Sequence, residues 1–507
     1  MDFKYDRVIL IGENKRYIFK CPLDLYKWLL YTYKTARNTT RGVRLYVKKF
    51  DLVRDYYMEK IRQYGIETLY VSSAKTHYYG LGLFHKNICL IDYTFKFGSD
   101  EVSVEEAFSS KYDSVWERVN SGFTGFAKKK IRIDLVKEEF KPIFKDLRSI
   151  LIHYSVKGPT IGCRPNYNYT NVSAWDIKSA YPYWVYTAEF PYTFLQVPDK
   201  LKGKLIKKPH CGYFGKFTIK NFKAKDSHYL PLFLKHDGLD ENDVDVLTCN
   251  RRIAAGISYS GYGFLDLLLP IIKNNYTYES IELDWDQMWF YKTKQLPQET
   301  REACLELFDT KESTHLHSDK LILNRTSYGL FITHKTRKDG TKDAADYEVP
   351  YQVGIYIVAL QAHYMDSVIQ KGGVEHLIST HTDSIKFDYD IAPIIYEENN
   401  RRHCYKNLGM WEWEDVKECC YYSNTRAKIL TSKGEVKIKH GGISEDDVIE
   451  FCRDKDYNSI SGESPIMLTR HRTLNVDEKG THIVLNKVPV KFSSDISEEE
   501  NYELFNC

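Results

Sequence analysis

The sequence predicts a multidomain chain of α+β class, and three observations carry that expectation. The chain has 507 residues, 43% of them hydrophobic and 28% charged, enough apolar side chain for about three or four cores at ~100–200 residues per domain. Strand-type alternation and helix-type periodicity follow one another along its length, and neither dominates. No apolar run reaches the ~18–20 residues that span a bilayer. The nearest, residues 263–273 (GFLDLLLPIIK), is too short.

Residues 7–12 (RVILIG) read as a strand, 23–33 (LDLYKWLLYTY) as a helix, 43–50 (VRLYVKKF) as a strand and 57–61 as part of a helix. That rhythm predicts an α/β domain over residues 1–150. From Asp134 to Tyr154 apolar residues recur at helical spacing behind an aspartate suited to capping. A break at Gly158-Pro159 marks the first boundary. Strand-like runs flank Trp175-Asp176, and residues 212–225 (GYFGKFTIKNFKAK) read as a hairpin. Helix dominates Gln298 to Leu330. A long apolar helix from Val353 to Gln370 ends at Gly372-Gly373. A strand, a tight turn and a strand follow in HLIST, HTDS and IKFDYD, and Ser444 opens a last helix, SEDDVIEFC.

The formal net charge of +3 hides an uneven distribution. Lys200, Lys202, Lys204, Lys207, Lys208, Lys216, Lys220, Lys223 and Lys225 fall in one tract without an acid, a composition drawn to phosphate. Forty tyrosines suit base stacking as well as ordinary cores. Eleven cysteines, including adjacent Cys419-Cys420, read as reduced thiols; no pair of CxxC units offers a zinc site. The start, MDFKYDRVILIG, has no signal-type apolar core, so a cytoplasmic protein is expected.

Three segments concentrate chemistry. Asp176-Ile177-Lys178-Ser179-Ala180-Tyr181-Pro182 lies where a strand gives way to a helix; Lys320 to Gly329 (KLILNRTSYG) is helical; His381-Thr382-Asp383-Ser384 is a strand–strand turn. Each alone reads as ordinary structure: a helix start, a solvated helix face, a turn. Together they offer two carboxylates at strand ends, able to meet across a sheet and share two magnesium ions, plus a lysine for a triphosphate. Tyr328 is about two helical turns beyond Lys320 and could pack on a base.

These segments resemble the motifs of family-B DNA polymerases, most closely the compact protein-primed phage branch. DIKSAYP is similar to that family's DxxSLYP, KLILNRTSYG to its KxxxNSxYG, and HTDS to its DTDS. Gly158-Pro159-Thr160 stands where the family has a glycine motif touching template, Leu408-Gly409-Met410-Trp411 with Glu414 resembles LGxW, and Arg426-Ala427-Lys428 falls at KxY. Six matches in order cover residues from about 150 to 445.

The resemblance implies a right-hand polymerase preceded by a degenerate exonuclease-like RNase-H-type domain. Residues 1–150 would be that domain, 151–225 and 336–430 the palm, 226–285 an inserted subdomain, 286–335 the fingers and 431–507 the thumb. Asp176 and Asp383 would be catalytic and bind two Mg2+ ions (Mn2+ able to substitute), with the Ile177 carbonyl as a further ligand. Ser179, Tyr181, Lys311, Lys320, Asn324 and Tyr328 would bind the nucleotide, with Tyr181 excluding a 2′-hydroxyl. Gly158, Thr160, Ser384, Arg426 and Lys428 would bind DNA. The implied partners are primer-template DNA, deoxynucleoside triphosphates and a terminal protein primer, with no membrane. The implied activity is template-directed DNA synthesis without proofreading. Untemplated or protein-primed synthesis by the same palm, or a non-catalytic DNA-binding role, are the alternatives.

The departures are specific. His381 replaces the family's first aspartate of DTDS, Lys428 replaces the tyrosine of KxY, and one extra residue separates Asn324 from Tyr328, which predicts that both cannot keep the family geometry. A short loop around residues 335–346 stands where relatives have a longer hairpin around DNA, which predicts weak processivity. In the N-terminal third Asp51 and Asp113 faintly resemble exonuclease acids, and read equally well as surface acids. Lys4 and Ser109 replace the other expected groups.

Overall fold

The structure is a computed structural model. It describes residues 5–10, 14–19, 43–47, 70–71, 77–79, 88–92, 123–140, 147, 150–151, 161–164, 167–226, 246–249, 252–315, 317–331, 334–336, 342–344, 350–402, 404–423, 426–440, 466–477 and 480–490. Two compact units divide the chain. One comprises Met1–Phe126, Thr310–Ile322 and Glu463–Lys491, the other Ala127–Asp309, Leu323–Gly462 and Phe492–Cys507.

The first unit holds a six-stranded mixed sheet of β1 (Tyr5–Leu10), β2 (Asn14–Phe19), β3 (Val43–Val47), β4 (Tyr70–Val71), β5 (His77–Tyr79) and β6 (Ile88–Asp92), in the order β2-β1-β3-β6-β5-β4. Only the β3–β6 pair is parallel. The strands expected at 7–12 and 43–50 are present as β1 and β3. The helices expected at 23–33, 57–61 and from Ser444, the Gly158-Pro159 break, and Lys4, Asp51, Ser109 and Asp113 lie outside the described residues.

The second unit begins at Ala127, within helix α1 (Phe123–Lys130), and continues into α2 (Ile133–Glu139). The helix expected to start on an Asp134 cap instead starts behind Arg132, which sits at φ 52, so Asp134 falls in the first turn. It stops at Phe140, whose N–H donates to the Val136 carbonyl at 2.8 Å. Strands β7 (Ile161–Cys163), β8 (Asn168–Thr170) and β9 (Ser173–Ile177) lead into α3 (Ala180–Thr187).

A large antiparallel sheet follows, built from β10 (Glu189–Gln196), β11 (Cys211–Ala224), β12 (Val246–Cys249), β13 (Arg252–Phe264), β14 (Tyr276–Thr277) and β15 (Ser280–Gln295). Its order is β10-β15-β11-β13-β12, with β14 on β11 and α4 (Leu265–Asn275) between β13 and β14. The hairpin expected at 212–225 is instead one continuous strand, β11. Phe217 and Ile219 alternate into one core with Ile253, Tyr259 and Met288, Phe222 joins it after Asn221 at φ 44, and both neighbours pair along β11, so no turn interrupts it. Gly212 lies where β15 crosses: a Cβ there would come within 2.3 Å of Tyr291 Oη.

Helices α5 (Gln298–Thr314) and α6 (His317–Asn324) are joined at His315, which sits at φ 54. Residues 335–346, expected as a loop, contain a short hairpin of β16 (His334–Thr336) and β17 (Lys342–Ala344). Helix α7 (Tyr351–Gly372) is apolar around much of its surface because most of it is buried. It ends where Gly373 takes φ 81, as the glycine pair predicts. Beyond it come β18 (Leu377–His381), β19 (Ser384–Phe387), α8 (Ala392–Arg401), β20 (Trp411–Trp413), β21 (Glu418–Ser423), β22 (Arg426–Leu430) and β23 (Val436–His440). Strands β24 (Ile466–Asp477) and β25 (Gly480–Val490) form a hairpin of the first unit. Among the described residues no helix is long and apolar enough to cross a membrane.

Candidate active site

The site is built on a five-stranded antiparallel sheet of order β20-β9-β19-β18-β7. Side chains alternate between its faces. Trp175, Ile177, Ile385, Phe387 and Trp411 pack against Met365, Val368 and Ile369 of α7 in one core. That alternation leaves Ala174 and Asp176 on the other face. Ala174 joins a second core with Ile378, Cys419, Ala427 and Ile429, where the β23-β22-β21-β8 sheet covers it. Asp176, one step further along β9, is half-buried.

Asp176 is opposite Ser384 of β19 and opposite Glu412 of β20. Asp383 precedes Ser384, and its carbonyl accepts the Ile177 N–H at 2.9 Å. The register therefore brings Asp176, on β9, next to the turn that carries Asp383, the two aspartates expected from the sequence. The turn between β18 and β19 is tight: Asp383 N–H donates to the His381 carbonyl at 2.7 Å, around Thr382 at φ 60. A β-branched residue there is strained by about 1–3 kcal/mol, so the surroundings must impose it.

The backbone after Asp176 is clamped. Lys178 N–H donates to Met410 O at 2.9 Å, and Gly409 N–H to Lys178 O at 2.8 Å. Gly409 has φ 84, and a Cβ there would lie 2.2 Å from Tyr183 Cδ2. Lys178 Nζ pairs with Glu412 Oε1 at 3.0 Å. Ser179, at φ 54, is the N-cap of α3 without a side-chain cap bond, and Tyr181 follows half-buried in the first turn.

One step below Asp176 on the same face, Lys386 reaches across Ala174 from β19 to Glu414, with Nζ to Oε2 at 2.8 Å. Lys386 is 3% exposed. Burial opposes its charge, yet the Tyr421 oxygen and the Glu414 carboxylate outweigh burial and hold its pKa above the usual lysine value. Burial raises the Tyr421 phenol, so Glu414 supplies the balancing charge at neutral pH. Burial also pushes the Cys419 thiol up to about 12.

The other expected residues are dispersed. Lys311 on α5 pairs with Glu312 at 3.0 Å, and Lys320 is exposed on α6; both belong to the first unit. Asn324 is exposed at the end of α6. Arg325–Gly329 then forms a π-turn, and Leu330 N–H donates to Arg325 O at 2.9 Å, five residues back. A π-turn absorbs one extra residue. The added residue between Asn324 and Tyr328 coincides with this π-turn. Thr326 and Ser327, both buried, donate to the carbonyls of Leu323 and Asn324 at 2.7 and 2.9 Å.

Lys428 on β22 borders an open cleft of about 360 Å3, lined also by Asn168, Glu418, Cys420 and Leu430. Arg426 is described as strand backbone only. The Tyr328 side chain, Gly158 and Thr160 lie outside the described residues. Sequence reasoning missed Glu412 and Lys386. The alternation Trp411-Glu412-Trp413-Glu414 was the available signal for the first, since it reads as a short strand.

Magnesium is commonly bound by one or two carboxylates together with substrate phosphates and water. Asp176 on β9 and Asp383 in the turn before β19, neither fully buried, fit an ion shared with substrate. Among the described residues no three His, Cys, Asp or Glu side chains cluster into a cage for a metal.

No family model and no curated protein sequence matches the chain. Solved structures do. Phi29 DNA polymerase in a ternary complex with primer-template DNA and incoming nucleotides aligns at TM-score 0.57 and 13% identity, over 97% of this chain and 100% of that one. Its post-translocation binary complex with primer-template DNA aligns at 0.57 and 12%, over 96% and 100%. Its complex with single-stranded DNA aligns at 0.53 and 13%, over 80% of each chain. At that identity the likeness is one of fold, and it spans nearly all of both chains: this chain has the fold of a protein-primed family-B DNA polymerase of the phi29 kind.

Proposed function

We propose that this chain is a template-directed DNA polymerase that adds deoxynucleotides to a primer 3′ end by two-metal phosphoryl transfer. The observation that carries the reading is the pairing of β9 with β19, which sets Asp176 opposite Ser384, the residue after Asp383, while the Ile177 N–H donates to the Asp383 carbonyl. Two magnesium ions, when bound, would supply Lewis-acid stabilisation of the attacking and leaving oxygens. Asp176 and Asp383 would hold them, with the Ile177 carbonyl adjoining. Tyr181 would lie under the sugar, and Ser179 would orient the triphosphate. Lys311, Lys320, Asn324 and Tyr328 are the proposed nucleotide contacts of the fingers. Ser384, Arg426, Lys428, Gly158 and Thr160 are those of the DNA.

In this reading the palm comprises residues 151–225 and 336–430, the fingers 286–335 and the thumb 431–507. The proposed inserted subdomain, 226–285, contributes β12, β13 and β14 to the sheet that also holds β10, β11 and β15. Residues 1–150 would be an exonuclease-type domain without 3′–5′ activity. A cytoplasmic location and a terminal protein primer belong to the same proposal. A binding-only role needs neither carboxylate, and retention of both favours catalysis.

Asp176→Ala and Asp383→Ala are each expected to abolish primer extension while primer-template affinity stays within about two-fold, because phosphate contacts come from cations elsewhere. Near-normal turnover in either variant contradicts the assignment.

A further inference from the structure

A single buried side chain touches the segments that carry both aspartates. Gln361, on α7, is 3% exposed. Its Oε1 accepts the Trp184 Nε1–H at 2.7 Å, and its Nε2 donates to the Thr382 carbonyl at 3.3 Å. Trp184 belongs to α3, the helix that opens three residues after Ile177, and Thr382 directly precedes Asp383. The amide orientation is fixed by its partners, since an indole N–H only donates and a carbonyl only accepts. Glutamine meets both needs from one end group.

The location matters because the turn is strained and is held from neighbouring elements as well as by its own hydrogen bond. Thr382 sits at φ 60, a conformation a β-branched residue avoids. Ile177 N–H holds the turn on the β9 side through Asp383 O, and Gln361 holds it through the preceding carbonyl. Trp184 is in turn fixed by its edge contacts with Tyr183 and Tyr364, at 5.1 and 6.0 Å between ring centroids, and by the Arg402 guanidinium at 5.4 Å. The amide therefore transmits the placement of α3 to the residue beside Asp383.

We propose that Gln361 is a positioning residue for nucleotide addition, registering the Thr382–Asp383 turn against the helix that follows Asp176. The proposal rests on the polymerase reading. A shift of ~1 Å between reacting groups can cost about 100-fold in rate, and a freed Thr382 carbonyl permits such a shift.

The test is single-nucleotide addition with purified Gln361→Met, Trp184→Phe and the double variant, each with a melting curve and a primer-template titration. Gln361→Met keeps length and loses both hydrogen bonds. Its kcat should fall roughly 10- to 100-fold, with nucleotide KM and DNA Kd within about two-fold of wild type. Trp184→Phe, which frees the amide from one side, should lose about three-fold in kcat. The double variant should be no slower than Gln361→Met, because both act through one link. A Gln361→Met enzyme with wild-type kcat overturns the proposal, as does a loss confined to KM or DNA affinity, or losses that multiply in the double variant. If Gln361→Met does not fold, unchanged kcat in Trp184→Phe also overturns it, and a kcat loss at unchanged KM supports it. A wild-type chain that extends no primer sinks the polymerase reading, whereas wild-type extension beside an unimpaired Gln361→Met sinks this proposal alone.

Discussion

Asp176 owes its place to a period of two: Trp175 and Ile177 are drawn into the α7 core, and the residue between them must face the other way. Tyr181 owes its place to what precedes it. Ser179 at φ 54 and the clamp of Lys178 by Gly409 and Met410 fix where α3 begins. If the ring lies under the incoming sugar, it leaves no room for an added hydroxyl. Tyr181→Val is therefore expected to incorporate ribonucleotides about ten-fold or more better relative to deoxynucleotides, a discrimination of roughly 1.4 kcal/mol. Competitive incorporation measured beside a melting curve checks this. A variant that melts earlier and still rejects ribonucleotides would assign Tyr181 to packing alone. The sequence motif announced Asp176, Tyr181 and Asp383, because each sits in a run of fixed local spacing. Gln361 and Lys386 carry no such signature. Their partners lie 177 residues away in one case and 28 in the other, and only the fold brings them together.

At the scale of elements, the sheet is tied under the site by the Lys386–Glu414 pair. The two partners are unequal: Lys386 is 3% exposed, while the Glu414 side chain keeps 33% of its surface in water. Removing the carboxylate strands a buried ammonium; removing the ammonium leaves a carboxylate that can hydrate. Glu414→Gln should therefore cost about 3 kcal/mol and Lys386→Met only about 1, with the double variant closer to Lys386→Met. Urea unfolding midpoints at neutral pH check this order, and equal costs for the two single variants would contradict it. Elements defined by local rules were legible: the β18–β19 hairpin from its alternation and turn, and α7 from its apolar length and terminal glycines. Elements decided by neighbours were not. Residues 212–225 read as a hairpin because nothing in the run reveals that β13 and β15 will pair along both of its edges. The π-turn at Arg325–Gly329 was legible only as an extra residue, since its hydrogen bond joins residues five apart in a helix that looks regular by pattern.

For the whole molecule, the likeness to the phi29 structures runs across nearly the full chain at 12–13% identity. The likeness is one of fold, and the segments that resemble the family's motifs are those where the proposed chemistry fixes residue type. The N-terminal third holds a six-stranded sheet, and the exonuclease-type domain proposed there has at most two of the acids a proofreading site needs. An end-labelled mismatched primer, incubated with magnesium and no nucleotides, is expected to remain uncut. Shortening that persists in an Asp176→Ala, Asp383→Ala double variant would instead place an active exonuclease in the chain. The central claim, templated synthesis by the Asp176–Asp383 pair, is tested most directly by extension of a labelled primer on a defined template with each deoxynucleotide omitted in turn. The account predicts products that stop one residue before each position requiring the missing nucleotide, and no products from either aspartate variant. Extension past those positions, or extension without a template, would contradict it.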